Sequence, residues 1–156
     1  MRLAACAVGR LRTGPERVLT EDYVARFNRT GRPLGLGPLT EHEVEDRKGG
    51  GIQAEAELLS RAIPQGALMV ALDERGQMLT SPELAQHLAR WRDEGRQDAA
   101  FVIGGADGLA PGLRDRADLM LSFGRMVWPH MLVRVMLAEQ LYRAATILSG
   151  GPYHRV

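Results

Sequence analysis

Residues 120–155 read MLSFGRMVWPHMLVRVMLAEQLYRAATILSGGPYHR. A short apolar run ends at Leu121, and a loop follows over residues 123–128. Pro129 then opens a long helix that ends near Leu148, and Gly150-Gly151-Pro152 releases a tail. Strand, loop, helix is the grammar of a parallel α/β fold. The helix is apolar almost all round, with Met131, Val133, Val135, Leu137, Leu141 and Ile147 pointing in different directions. Such a helix is covered on several sides, which fits a subunit interface as well as an internal core. Glu139, Gln140 and Arg143 share its polar side, while Arg134 projects among Leu137, Ala138 and Leu141. A charge on an apolar face needs a partner. Two readings stand for Arg134: an ion pair within the fold or dimer, or a contact to substrate or cofactor.

Working outward, the same alternation fills the rest of the chain. Residues 3–8 form a short apolar run closed by Gly9, a buried strand. Pro15 opens a helix through about Phe27, with Val18, Leu19, Tyr23 and Phe27 on its apolar side. Residues 34–39 make a weak strand interrupted by Gly and Pro, and the acidic residues 41–51 read as a mobile loop. A helix is expected over residues 52–63 and a strand over the continuous apolar run 67–72. Residues 73–80 read as a loop, Ser81 as an N-cap with Pro82 at the first helical position, and a helix runs on to Glu94. Residues 99–103 form the next buried strand, followed by Gly104-Gly105-Ala106-Asp107-Gly108 and a short helix opened by Pro111. Strands that alternate with helices predict a mostly parallel sheet with helices on both faces. Such sheets bind ligands where loops leave the carboxyl ends of their strands. The loops after Leu72, Ile103 and Leu121 qualify.

Composition excludes several classes. At 156 residues the chain suits one domain, residues 1–156, with a core that needs no disulfide or metal. Hydrophobic content of 45% and charged content of 25% are those of a soluble globular protein, and no apolar run is long enough to span a membrane. Cys6 stands alone, so neither an internal disulfide nor a thiolate metal cage forms. The residues before it are too few for a secretory signal, and a cytoplasmic protein is expected. Net charge is +1, with Arg enriched in residues 1–32 and acids in residues 41–57. His42-Glu43-Val44-Glu45-Asp46 lacks the second His of a helical zinc motif. There is no GxGxxG, P-loop or GxSxG string. The glycines at 104, 105 and 108 permit close approach of a ligand to the main chain, or simply a turn. Tyr153-His154-Arg155 is by default a frayed end, though an aromatic, an imidazole and a guanidinium together make a competent RNA-binding tip.

Three strings carry a resemblance. Pro129-His130-Met131-Leu132-Val133-Arg134-Val135, Ala138-Glu139-Gln140-Leu141-Tyr142-Arg143-Ala144 and Pro152-Tyr153-His154-Arg155 resemble the C-terminal signature of the RlmH family. Those are SPOUT-class methyltransferases of bacterial ribosomal RNA. Ile103-Gly104-Gly105, Gly108-Leu109, Leu72-Asp73, Ser81-Pro82-Glu83-Leu84-Ala85, Val8-Gly9-Arg10-Leu11 and Gly14-Pro15-Glu16-Arg17 fit as well, so the likeness spans the chain. The loop before Pro129-His130 departs from the family's usual LSxMT.

The resemblance implies a SPOUT domain with a C-terminal trefoil knot, a homodimer built on the last helix, and S-adenosylmethionine as cofactor. By similarity Leu72, Gly104, Gly105, Phe123, Gly124, Arg125, Met126, Val127 and Trp128 hold that cofactor. The implied reaction is methylation of N-3 of a pseudouridine in 23S rRNA of the assembled ribosome, without metal. His154 and Arg155 of one subunit, with Tyr153 packing the tail, are expected at the other subunit's pocket. Arg134 and Arg143 are expected helpers for substrate phosphate. The alternative is a dimeric ribosome-binding or assembly protein with a degenerate cofactor site.

Overall fold

The structure is a computed structural model that describes residues 1–155; Val156 lies outside the described residues. Five parallel strands form one sheet in the order β2-β1-β4-β3-β5. They are β1 Arg2–Val8, β2 Leu39–Val44, β3 Leu68–Met78, β4 Asp98–Ile103 and β5 Leu119–Ser122. The helices are α1 Pro15–Gly31, α2 Gly51–Ala62, α3 Ser81–Asp93, α4 Pro111–Asp115 and α5 His130–Ser149.

Both faces of the sheet are covered, as the continuous apolar runs require. On one face Leu3, Val70, Phe101 and Ile103 pack against Phe27 of α1, Leu88 and Trp91 of α3, and Leu137 and Leu141 of α5. On the other, Cys6, Met69, Ala100 and Val102 meet Leu59 of α2 and Leu113 of α4. Burial pushes the Cys6 thiol up to about 12, so it remains a neutral packing group.

Four expectations need correction. The segment Leu39–Val44, partly assigned to a mobile loop, is edge strand β2, in register with β1 from Leu3↔Leu39 to Val8↔Val44. Its acidic side chains are partners for cations in the fold. Arg134 is 4% exposed; its guanidinium donates to Glu41 Oε1 at 2.8 Å and to Gly9 O at 3.2 Å, and forms an ion pair with Glu43 Oε2 at 2.7 Å. Arg17 of α1 reaches Glu41 as well. This network consumes Arg134, which therefore does not reach a substrate phosphate. The expected loop after Leu72 is mostly strand: β3 runs on to Met78. Finally, Thr80 and not Ser81 caps α3, in a reciprocal box in which the Glu83 N–H donates to Thr80 Oγ1 at 3.2 Å and the Thr80 N–H to Glu83 Oε2 at 2.7 Å.

The extension of β3 matters most. Leu72 and Gln77 both pair with Leu121, so residues 73–76 arch out of the sheet before Gln77 and Met78 return to β5. At Gly76 the arch lies so close to β5 that an added Cβ would stand 2.6 Å from the Met120 carbonyl. Only glycine fits there.

Candidate functional site

The carboxyl ends of β3, β4 and β5 open on one rim of the sheet, and their loops enclose a cleft of about 270 Å³. Leu72 and the arch Asp73-Glu74-Arg75 form one wall; Gly104, Gly105 and Gly108 form the second. Phe123, Gly124, Met126, Val127 and Trp128 form the third, and His130 and Val133 enter from α5. Eight of the nine residues expected at a cofactor are brought together here, while Arg125 is not among the lining residues.

Local chemistry holds each wall. The Asp73 carboxylate accepts from the Arg75 N–H and from its Nε, both at 2.9 Å, which ties the arch to itself. Burial opposes that charge, but Arg75 and Arg114 outweigh it and hold the carboxyl below its usual range. The Gly108 N–H donates to Gly105 O at 3.0 Å, closing the second wall as a tight turn. The Ser122 hydroxyl accepts the Gly124 N–H at 3.0 Å and lies 3.2 Å from Glu74 O, linking the third wall to the arch.

The walls are largely main chain. Gly108 and Gly124 have φ of +77° and +117°, and an added Cβ at either would meet nothing within 4 Å. The cleft thus offers backbone groups and space where side chains would otherwise stand. Its charge is acidic on balance, with Asp73, Glu74 and Asp107 against Arg75. The buried His130 Nδ1 has no hydrogen-bond partner among the described residues. Behind Gly105, the Glu55 carboxyl is pushed up by burial and by Asp107 and Asp46. Backbone edges and an acidic surplus fit a flat heterocycle that carries a cationic group, and S-adenosylmethionine has that chemistry.

The tail lies elsewhere. Tyr153 packs on Tyr142 with ring centroids 4.7 Å apart and donates its hydroxyl to Glu139 Oε1 at 3.0 Å. Burial, then Tyr23 and Glu139, hold the Tyr153 phenol protonated well above its usual range. Arg143 stacks over the Tyr153 ring at 4.7 Å, donates from Nε to Glu139 Oε1 at 3.0 Å, and meets His154 Nδ1 at 3.3 Å. None of Tyr153, His154 and Arg155 lines the cleft of its own chain.

A parallel sheet whose rim loops fold into a main-chain cleft defines a ligand-binding α/β protein. Comparison with known proteins narrows the class. The family model described as predicted SPOUT methyltransferase matches residues 1–154. A relative from Cereibacter sphaeroides named Ribosomal RNA large subunit methyltransferase H is 73% identical over 156 residues, covering 100% of both chains. One of the same name from Paracoccus denitrificans is 69% identical over 155 residues, 99% of each. Among solved structures, a probable methylase family protein from Haemophilus influenzae superposes with a TM-score of 0.53 at 12% identity, over 99% of this chain and 70% of that one. A probable methyltransferase from Bordetella pertussis gives 0.52 at 15% identity, over 92% and 96%; these two likenesses speak for the fold. The chain belongs to the SPOUT methyltransferase family, in the branch of the relatives named Ribosomal RNA large subunit methyltransferase H.

The sequence pointed to a loop after Leu72 but not to its arched return to β5, and it gave His130 and Glu139 no role in the site. For the arch, Gly76 directly after the charged run Asp73-Glu74-Arg75 was the available signal. For Glu139 it was the (i, i+4) spacing to Arg143.

Proposed function

We propose that residues 1–156 act as one domain that transfers a methyl group from S-adenosylmethionine to N-3 of a pseudouridine in 23S rRNA, on assembled ribosomes in the cytoplasm. The observation that carries this reading is the main-chain cleft at the three-strand rim, in a chain 73% identical to a protein named for that rRNA activity. When bound, S-adenosylmethionine supplies an electrophilic methyl on a sulfonium. Leu72, Gly104, Gly105, Phe123, Gly124, Met126, Val127 and Trp128 hold it, and the acidic rim suits its positive charge. Arg125, exposed on the same loop and outside the cleft lining, is assigned to the rRNA in place of the cofactor. In this reading the chain through β5 and α5 passes beneath the 73–76 arch as a trefoil knot.

The protein's remaining work is to align N-3 with the methyl carbon and to help the base lose its proton. That work falls to the tail of a second subunit. The tail folds back to Glu139, nine residues along α5 from His130 at the cleft, or about 14 Å at helical rise. In a homodimer that pairs the α5 helices, the tail of one chain meets the cleft of the other. The surface for such a pairing is apolar: Leu19, Met131 and Leu132 are exposed beside a groove lined by Leu84, Val135 and Met136. Arg143 stays with the tail, held by Glu139 and set against His154. Among the described residues no helix is long and apolar enough to cross a membrane.

Two measurements test the reading. Calorimetry should show S-adenosylmethionine binding by the intact protein; a non-catalytic assembly factor would show none. Deleting residues 153–156 should leave dimer and cofactor affinity intact and abolish methylation of ribosomes. Full activity in the truncated protein would refute the role of the tail.

A further inference from the structure

We infer that His154 serves this reaction as a hydrogen-bond donor to a carbonyl of the target base, held in that state by Arg143 and Glu139, and that it is not the base that removes the N-3 proton. The inference rests on the proposed function and assigns a role within it.

The geometry sets the tautomer. Arg143 Nη1 stands 3.3 Å from His154 Nδ1. A guanidinium has only N–H donors, so Nδ1 is the acceptor. The neutral ring then carries its hydrogen on Nε2, which points away from Arg143. A doubly protonated ring would set one N–H against another.

Arg143 is not free to turn and release the ring. Its Nε and Nη2 both donate to Glu139 Oε1, at 3.0 and 2.5 Å, and its plane lies on Tyr153. Glu139 keeps the guanidinium charged, raising its pKa further above the usual arginine range. Glu139 is itself fixed. Its Oε1 accepts from Tyr153, its Oε2 accepts from Gln140 Nε2 at 3.0 Å, and Gln140 Oε1 accepts from Ser81 Oγ at 2.7 Å at the start of α3. Among the described residues, the charged and titratable groups of the hydrogen-bonded cluster that holds the ring are Arg143, Glu139 and Tyr153, with Tyr23 coupled to Tyr153. Glu139 is a positioning residue, acting through Arg143.

The chemistry needs such a donor. N-3 of a uracil ring lies between two carbonyls, and loss of its proton spreads negative charge over both oxygens. In the step, the N-3 proton passes to water and the N-3–carbon bond forms. The carbon–sulfur bond breaks with its electron pair left on sulfur. A fixed N–H aimed at one carbonyl oxygen stabilises the developing charge without accepting a proton.

The test uses the intact dimer, S-adenosylmethionine, and ribosomes from cells that lack the modification. His154→Gln keeps a side-chain N–H donor but cannot titrate; His154→Ala keeps neither. His154→Gln should lose no more than about tenfold in kcat and His154→Ala about 100- to 1000-fold, both with cofactor affinity unchanged by calorimetry. The pH–rate profiles of wild type and His154→Gln should run parallel, because the ring does not exchange a proton in the step. Nitrogen-15 NMR, with the signal assigned by loss in His154→Gln, should show the wild-type ring protonated at Nε2, and Glu139→Gln should mix the tautomers. The proposal is overturned if His154→Gln is as inert as His154→Ala, if an acid limb of the wild-type profile vanishes in it, or if the ring is protonated at Nδ1. Failure of the wild-type protein to bind S-adenosylmethionine or to methylate would instead sink the underlying function.

Discussion

Replacing Gly104 with alanine probes the cleft at its tightest wall. A Cβ built at Gly104 stands 2.5 Å from both the carbonyl carbon and oxygen of Gly108, and 2.9 Å from Leu109 N. All three are backbone, so no rotamer change relieves the clash. Non-bonded carbons rest about 3.5 Å apart, so the turn must move by about 1 Å. Overpacking of this kind costs about 1–3 kcal/mol. The Gly105–Gly108 turn is tied down mainly by its own hydrogen bond, so the displacement should fall on the cleft. If that strain appears in binding, S-adenosylmethionine affinity should weaken by about 5- to 100-fold, at roughly 1.4 kcal/mol per tenfold. Gly112→Ala is the control: it sits in α4 with nothing within 4 Å of an added Cβ. It should leave affinity unchanged and melt no lower than wild type. Calorimetry on wild type, Gly104→Ala and Gly112→Ala decides the matter. Wild-type affinity and melting temperature in Gly104→Ala would show that this wall is neither tight nor part of the site.

Other outcomes follow from the same structure. Arg134→Met leaves Glu41 and Glu43 without their buried partner, and chemical denaturation should show a loss of roughly 3–5 kcal/mol. The triple change that also makes both glutamates Gln should recover much of it, and full stability in Arg134→Met alone would contradict the network. Glu43 sets a pH dependence. Burial opposes its charge, but the Leu11 N–H and Arg134 outweigh burial, so its folded pKa lies below the ordinary 4.5. A depressed carboxylate stabilises the fold above its unfolded pKa and loses that contribution as pH falls through the folded value. The stability difference between wild type and Glu43→Gln should therefore be full at neutral pH and disappear in acid below about 4.5; a difference that grows in acid would reverse the sign. Thr80→Ala removes the α3 cap and should cost about 1 kcal/mol in urea titration, with Ser81→Ala costing less.

The central strands and the three rim loops were legible because burial on both faces leaves uninterrupted apolar runs, as at residues 67–72 and 99–103. β2 was not, because an edge strand needs few apolar residues, and its Glu41 and Glu43 look like solvated loop until Arg134 is seen. That pairing joins residues 93 apart in the chain, beyond any local pattern. The arch hid for a related reason. Asp73 to Gly76 has loop composition, and only its return to β5 at Gln77 and Met78 makes it a wall. Most of the cofactor candidates converge on one cleft, whereas Tyr153 and Arg143 gather on Glu139, with His154 against Arg143. No spacing rule shows that a tail will double back on its own helix.

The most direct test of the account is mass mapping of 23S rRNA from cells with and without this gene. The account predicts one pseudouridine-containing fragment lighter by a single methyl group in the deletion, restored when purified protein and S-adenosylmethionine are added to the isolated ribosomes. Identical fragments from both strains, or a missing methyl on a base other than pseudouridine, would contradict it.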